Sequence, residues 1–263
     1  MYASRAGVLF KTIIAYSLLV NIFVLMCVDV QPSPGPNPNR KTFNICHANI
    51  RSLKNADKFN EIQCELGNTY DIVTFSEKWL CEKDKSCNYM MVDYQTPFRR
   101  DRTLGSTGYG GVAAYVSDNL ACKRRRNLEI PEIEGLWLEI NVINTKFLLL
   151  VIYRTESNSN NLFWQTLQTN IDDVRSESNS LIMIIGDLNA DPQTRHGRCL
   201  SEFADNNFFT IHVNEPTRIT ENSSTILDQI LTNFPTLVKE VNVDAPLATS
   251  DHCLISIACL FKT

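Results

Sequence analysis

The sequence predicts a mixed α/β fold in which two packed β-sheets are flanked by helices. Three observations carry that expectation. About nine apolar stretches have the length of strands. Only a few segments repeat apolar residues at helical spacing, too few for a doubly wound parallel sheet. Several runs are apolar without alternation, as a strand covered on both faces requires. With 263 residues the chain can bury a full core.

Taken in order, the chain opens with Thr12–Val28, apolar apart from Ser17 and Asn21 and preceded by Arg5 and Lys11. It has the character of a signal h-region or a short membrane anchor. Asp29–Asn39 is a proline-rich linker that can form neither helix nor inner strand. Residues 1–40 are therefore read as leader and linker, and 41–263 as the folded domain. Thr42–Ala48 reads as a strand, and Leu53, Phe59, Ile62 and Leu66 as one face of a helix. Asp71–Ser76, Tyr109–Val116, Leu136–Val142 and Phe147–Tyr153 follow as strands, with Gly110-Gly111 marking a bend or a close backbone approach. Leu162, Phe163, Leu167, Ile171 and Val174 form the apolar face of a second helix. The clearest strand starts at Leu181. It is expected to stop at Gly186, where the backbone turns without a Cβ clash, and to leave Asp187 and Asn189 pointing the same way. A helix near Leu200–Asn206 and strands at Phe208–Val213, Ile226–Thr232 and Cys253–Leu260 complete the domain.

The net charge is −4, and residues 1–40 carry +2 of it, so the remainder carries −6. A polyanion must then be held by local basic patches and metal ions, not by an overall field. Arg99-Arg100-Asp101-Arg102 and Lys123–Arg126 are the basic stretches, both readable as plain solvated charge. The nine cysteines form no Cys-x-x-Cys pair, and an odd count without framework spacing points to free thiols in a reducing compartment. The same spacing argues against structural zinc.

Polar residues recur where apolar segments stop: Asn49, Glu77, Tyr153, Asp187, Asn189, Asp228, Asp251 and His252. Each has a bland explanation alone. Glu77 serves as a helix cap, Tyr153 as half-buried core, Asp228 as a turn residue and His252 as a strand-edge histidine. Together they supply ligands for a hard metal, donors for phosphate oxygens, a carboxylate to orient water and an Asp/His pair.

The ordered set Asn49, Glu77, Tyr153, Gly186-Asp187-Leu188-Asn189, Leu227-Asp228 and Ser250-Asp251-His252 resembles the endonuclease/exonuclease/phosphatase superfamily, which includes DNase I-like enzymes. The wording is most similar to the apurinic-type endonuclease domain of non-LTR (LINE-type) retrotransposons, in Asn49–Leu53, Ser76–Leu80, Gly108–Val116, Glu215–Arg218 and Leu227–Leu231. The resemblance runs from Lys41 to the C-terminus. It implies a four-layer α/β sandwich and a divalent-metal-dependent phosphodiester hydrolase that nicks DNA and leaves a 3′-hydroxyl. By the same resemblance Glu77 holds Mg²⁺ or Mn²⁺, with Asn49 and Asp251 close by. Asp187 orients or deprotonates water. Asn189, Tyr153 and His252 donate to the phosphate, and Asp228 fixes His252. Thr217, Thr225 and Arg100 are assigned to substrate binding. Many relatives outside the retrotransposon branch carry an acidic residue where this chain has Arg51, so the metal site leans on Glu77.

The implied partners are DNA and a reverse transcriptase region encoded in the parent element, acting inside the cell, in the nucleus. Asp29–Pro36 also resembles a degenerate ribosome-skipping peptide, with Gln31 and Ser33 departing from its pattern. A secretory reading rests on the leader and the sequon Asn222-Ser223-Ser224, where a glycan would obstruct the site; a membrane tether through Thr12–Val28 is its relative. Other readings are a phosphatase of the same fold acting on a small or lipid phosphate, and an inactive copy that only binds nucleic acid.

Overall fold

The alternation of parallel strand pairs with helical crossovers sets this architecture. The computed structural model describes residues 40–102, 109–155, 160–178 and 180–262. In the first sheet, β1 (Arg40–Asn49) runs parallel to β2 (Ile72–Ser76), with Asn49 opposite Ser76. β4 (Val112–Val116) and the short edge strand β3 (Phe98–Arg100) extend it on one side. β14 (Cys253–Lys262) and β13 (Val238–Pro246) extend it on the other. The second sheet is ordered β5 (Ala121–Arg124), β6 (Glu134–Val142), β7 (Thr145–Tyr153), β8 (Leu181–Asp187), β12 (Asp228–Thr232) and β9 (Thr210–Ile211). β7 and β8 are parallel and set Tyr153 opposite Asp187; β12 is antiparallel and sets Asp228 opposite Asp187. A small hairpin of β10 (Arg218–Ile219) and β11 (Ser224–Thr225) stands apart from both sheets.

The two sheets share one apolar core, in which Phe43 and Phe261 from the first pack against Phe147 from the second. These rings lie near the starts of β1 and β7, away from Asn49 and Tyr153. Helix α1 (Ala56–Leu66) covers the outer face of the first sheet with Phe59, Ile62 and Leu66. It starts where the Asn55 side chain accepts the Lys58 N–H, and it ends at Gly67, which takes φ 50°. Helices α2 (Asn160–Glu177) and α3 (Arg198–Asn206) cover the second sheet. Both sheets are thus buried between helices and each other, the four-layer sandwich. Each fully buried leucine or isoleucine contributes about 1.5–3 kcal/mol.

Several expectations change. Fourteen strands replace the expected nine among the described residues. The additions are edge or two-residue strands, such as β13, whose polar residues face solvent and leave no apolar run to read. Phe208–Val213 shrinks to β9, because Phe208 is 84 % exposed and adopts φ 54°. Ile226–Thr232 begins only at Asp228, and Tyr109–Val116 only at Val112. Leu53 precedes the Asn55 cap and packs from a loop; Leu162 faces solvent, and Trp164 takes its place on the buried face of α2. Gly186 does not end β8 but continues it at φ 156°, because a Cβ there would run into the Ile152 carbonyl of β7. The leader Thr12–Val28 and the linker Asp29–Asn39 lie outside the described residues. Among those described, no helix is long and apolar enough to cross a membrane.

Replacing Gly186 by alanine forces β7 and β8 apart beside Asp187. Urea denaturation is expected to show a loss of at least about 2 kcal/mol.

Candidate active site

The C-terminal ends of two parallel pairs, β1/β2 and β7/β8, deliver Asn49, Glu77, Tyr153 and Asp187 to one place. Asn49 closes β1, and its carboxamide Nδ2 donates to Glu77 Oε1 at 2.8 Å and to Asp187 Oδ2 at 2.9 Å. The Tyr153 hydroxyl donates to the same Glu77 oxygen at 3.0 Å. The other Glu77 oxygen accepts the Trp79 indole N–H at 3.2 Å. Glu77 and Trp79 adopt φ 49° and 54°, a left-handed turn just past β2 that needs outside support. That support comes from Lys78 and Trp79 N–H groups on the Gly111 and Gly110 carbonyls, at 3.4 and 3.0 Å. Gly110 and Gly111 take φ 90° and 77°, and a Cβ on either would strike Arg102 or Lys78. This is the close approach expected from the sequence.

The second half of the site hangs on Asp187. Its partner across the ladder, Asp228, is fully buried and accepts a hydrogen bond from His252 Nδ1 at 2.8 Å. Burial opposes a charge on His252, but the bond to Asp228 and the charges of Asp228, Asp187 and Asp251 outweigh it and raise its pKa. Burial and the charge of Asp228 push the Asp187 carboxyl up to about 8. Burial, with the Glu77 charge behind it, raises the Tyr153 phenol as well, so the hydroxyl keeps its proton. Thr217 Oγ1 accepts both the Leu227 and Asp228 N–H groups, at 3.0 and 2.9 Å. Thr217 therefore sets the backbone that carries Asp228.

His47, which the sequence reading passed over, lies beneath this pair. Thr74 gives its hydroxyl proton to the Cys46 carbonyl, so it accepts from His47 Nδ1, and Ser76 donates to His47 Nε2 at 3.3 Å. That pattern fixes a neutral ring, and burial brings its pKa down to about 4 against the pull of Asp228. His47 Nε2 stands 3.9 Å from Asp228 Oδ1, a buried oxygen with no hydrogen-bond partner.

The remaining predicted residues are placed differently. Asn189 turns at φ 44°; its N–H donates to Asp187 Oδ1 and its amide Nδ2 to the Arg154 carbonyl, at 2.9 and 2.6 Å. Asp251 pairs with Arg51 at 3.1 Å and Arg218 at 2.9 Å. Thr225 sits on β11 opposite Arg218. Arg100 is turned toward the Gly135 and Ile130 carbonyls and Glu129, an anchor between elements. The rest of its stretch is likewise consumed: Asp101 takes Lys78 and Arg99, and Glu134 takes Arg102. The basic stretch from Lys123 places Arg124 on Glu129 and Arg125 on Glu139 and Glu177. Sequence reasoning also missed Arg102, stacked 5.7 Å from the Tyr153 ring, and Ser250, whose hydroxyl donates to the Asn49 carbonyl at 2.6 Å.

The donors suit a divalent cation. Glu77, Asp187 and Asp228 bring three carboxylates together with one carboxamide, and the buried Asp228 Oδ1 is orphaned. One ligand atom each from Asp187, Asp228 and His252 lies within 4.8 Å of the others. Oxygen donors with excess negative charge are what a hard cation requires, and the Glu77 carboxylate offers them without a histidine. Asn49 Nδ2 orients that carboxylate, while Asn49 Oδ1 accepts the Arg51 N–H.

Residues 147–256 match the endonuclease-reverse transcriptase family. The endonuclease domain of TRAS1, a telomere-specific non-LTR retrotransposon, superposes with a TM-score of 0.65 and 17 % identity, over 83 % of this chain and 98 % of that one. The AP endonuclease LMAP from Leishmania major gives 0.68 and 12 %, over 86 % and 90 %. An endonuclease/exonuclease/phosphatase family protein from Bacteroides thetaiotaomicron gives 0.62 and 14 %, over 85 % and 96 %. The fold is that of the DNase I-like endonucleases. The resemblance drawn from Asn49 to His252 is borne out at that level. No curated protein matches the chain.

Two stability measurements check the site's scaffold. Unfolded, His47 takes up a proton near pH 6.5, whereas the folded chain resists until about 4. His47 therefore contributes stability that is present above pH 6.5 and lost on acidification through that window, about 3 kcal/mol. Asp187, pushed up to about 8, works in the opposite sense over the same range. The slope is therefore read as the difference between urea melts of wild type and a His47→Gln variant. Thr217→Val strands two buried N–H groups and is expected to cost about 2 kcal/mol in the same assay.

Proposed function

We propose that this chain is a divalent-metal-dependent phosphodiester hydrolase that nicks one strand of DNA. The observation that carries the reading is the single Asn49 amide bridging Glu77 and Asp187, which puts a metal-type carboxylate beside a water-type carboxylate. Glu77, oriented by Asn49, would hold Mg²⁺ or Mn²⁺, which would supply charge neutralisation for the phosphate and the leaving oxygen. Asp187, held by Asn49 and the Asn189 N–H, orients the attacking water and accepts its proton. His252, fixed by Asp228 through Nδ1 and with its pKa raised by that bond and by Asp228's charge, offers Nε2 as a donor to a non-bridging oxygen when the ring is charged. Asn189 supplies a further donor through its second Nδ2 hydrogen as negative charge grows, and Tyr153 holds the Glu77 carboxylate in place with its hydroxyl. Water adds to phosphorus and the bond to the 3′ oxygen breaks, leaving a 3′-hydroxyl and a 5′-phosphate.

A free 3′-hydroxyl is the primer that reverse transcription needs. That supports a reverse transcriptase encoded in the parent element as partner, and the nucleus as the place of action. The similarity to the TRAS1 endonuclease domain supports the same reading.

Supercoiled plasmid incubated with Mg²⁺ and the full chain should relax to the open circle. Glu77→Gln, Asp187→Asn and His252→Ala should each slow nicking at least about 100-fold. Phosphate release from inositol phosphates without any nicking would overturn the substrate assignment.

A further inference from the structure

Asp251 stands next to His252, and the resemblance set it near the metal. Its surroundings assign it other work. Each oxygen of its carboxylate faces a different arginine: Oδ1 meets Arg51 Nε at 3.1 Å, and Oδ2 meets Arg218 Nε at 2.9 Å. A divalent ion at this carboxylate would have to settle against two guanidinium charges.

The three residues are fixed at the edge of the site by their backbones. The Arg51 N–H donates to Asn49 Oδ1 at 3.3 Å, so Arg51 follows directly from the residue that bridges the two carboxylates. Ser250 ties the Asp251 turn to the Asn49 carbonyl and also accepts the His252 N–H at 3.1 Å. Arg218 is bridged to His252 across the backbone. The two arginines are partly open to solvent, with side-chain exposures of 41 % for Arg51 and 27 % for Arg218. Asp251 Oδ1, by contrast, is buried against Arg51 and makes no hydrogen bond among the described residues. Asp187, Asp228 and His252 are buried.

We propose that Asp251 is not a metal ligand but a clamp that holds Arg51 and Arg218 as a phosphate-binding notch beside the scissile position. The notch takes a backbone phosphate next to the one that reacts. The inference rests on the proposed DNA-nicking activity and says how the strand is gripped beside the reacting phosphate. Guanidinium groups suit phosphate by geometry as well as charge, and Asp251 limits the rotamers lost on binding, with a hydrogen bond from Arg218 Nε and an ion pair to Arg51. Arg51 then replaces a metal-binding function with fixed positive charge.

Two measurements on the full chain test it. In the first, free Mn²⁺ is followed by electron paramagnetic resonance while metal-free protein is titrated. Asp251→Asn should bind within about twofold of wild type, and Glu77→Gln at least tenfold more weakly. Asp251→Asn as weak as Glu77→Gln overturns the assignment. In the second, a fluorescent duplex oligonucleotide is bound in EDTA at several salt concentrations. Arg51→Ala with Arg218→Ala should weaken binding and flatten the log–log salt slope by about two. Arg51→Lys should restore part of the affinity, and an unchanged slope in the double variant overturns the notch. Arg51→Gln, at an exposed side chain, repeats the test if the double variant is unstable. Wild type that shows this salt dependence but nicks no DNA sinks the activity and leaves the notch standing. Wild type that nicks, with a double variant of unaltered slope, does the reverse.

Discussion

One side chain joins the two halves of this protein's polar centre. The Asn49 carboxamide sits at the end of the first sheet and offers its two N–H groups to Glu77, on the same sheet, and to Asp187, on the facing one. Without a donor between them, two carboxylates in a buried place repel and take up protons. With it, they stand on either side of one carboxamide, the arrangement the proposed hydrolase would use to place a metal ion beside a phosphate. An aspartate at position 49 would have no N–H to give, and would add a charge where burial and Asp228 already push the Asp187 carboxyl up to about 8.

The rest of the fold supplies that junction. The aromatic core holds the sheets together near the starts of β1 and β7, and polar side chains take over at the opposite ends. Past β1, β2 and β8, the residues Arg51, Glu77 and Asn189 adopt positive φ and fold the chain around the centre. Such turns are strained for non-glycine residues, and here hydrogen bonds from neighbouring loops hold them. Gly186 serves the same end differently, letting β8 lie against β7 so that Asp187 and Tyr153 emerge side by side.

The central strands were legible because burial on both faces writes an apolar run into the sequence. Edge strands were not, since β13 and β3 expose one face and carry charge. Asn49, Glu77, Tyr153, Asp187, Asp228 and His252 were legible as polar residues that end or begin apolar runs. The structure links the first four through shared hydrogen bonds and sets the Asp228–His252 pair beside Asp187 across the ladder. Burial inside β1 hid His47, whose partners Thr74 and Ser76 lie on another strand. Arg100 looked available as part of a charge run, but its acceptors are backbone carbonyls that no sequence pattern marks. Asp251 was assigned by its neighbour His252, and only the fold reveals the two arginines beside it.

The claim that Asn49 builds one metal-holding centre from two sheets is tested most directly by anomalous diffraction from crystals soaked in Mn²⁺. A peak against the Glu77 carboxylate, lost in an Asn49→Leu variant, is the predicted result. A peak confined to Asp228 and His252, or one that survives in Asn49→Leu, would contradict it.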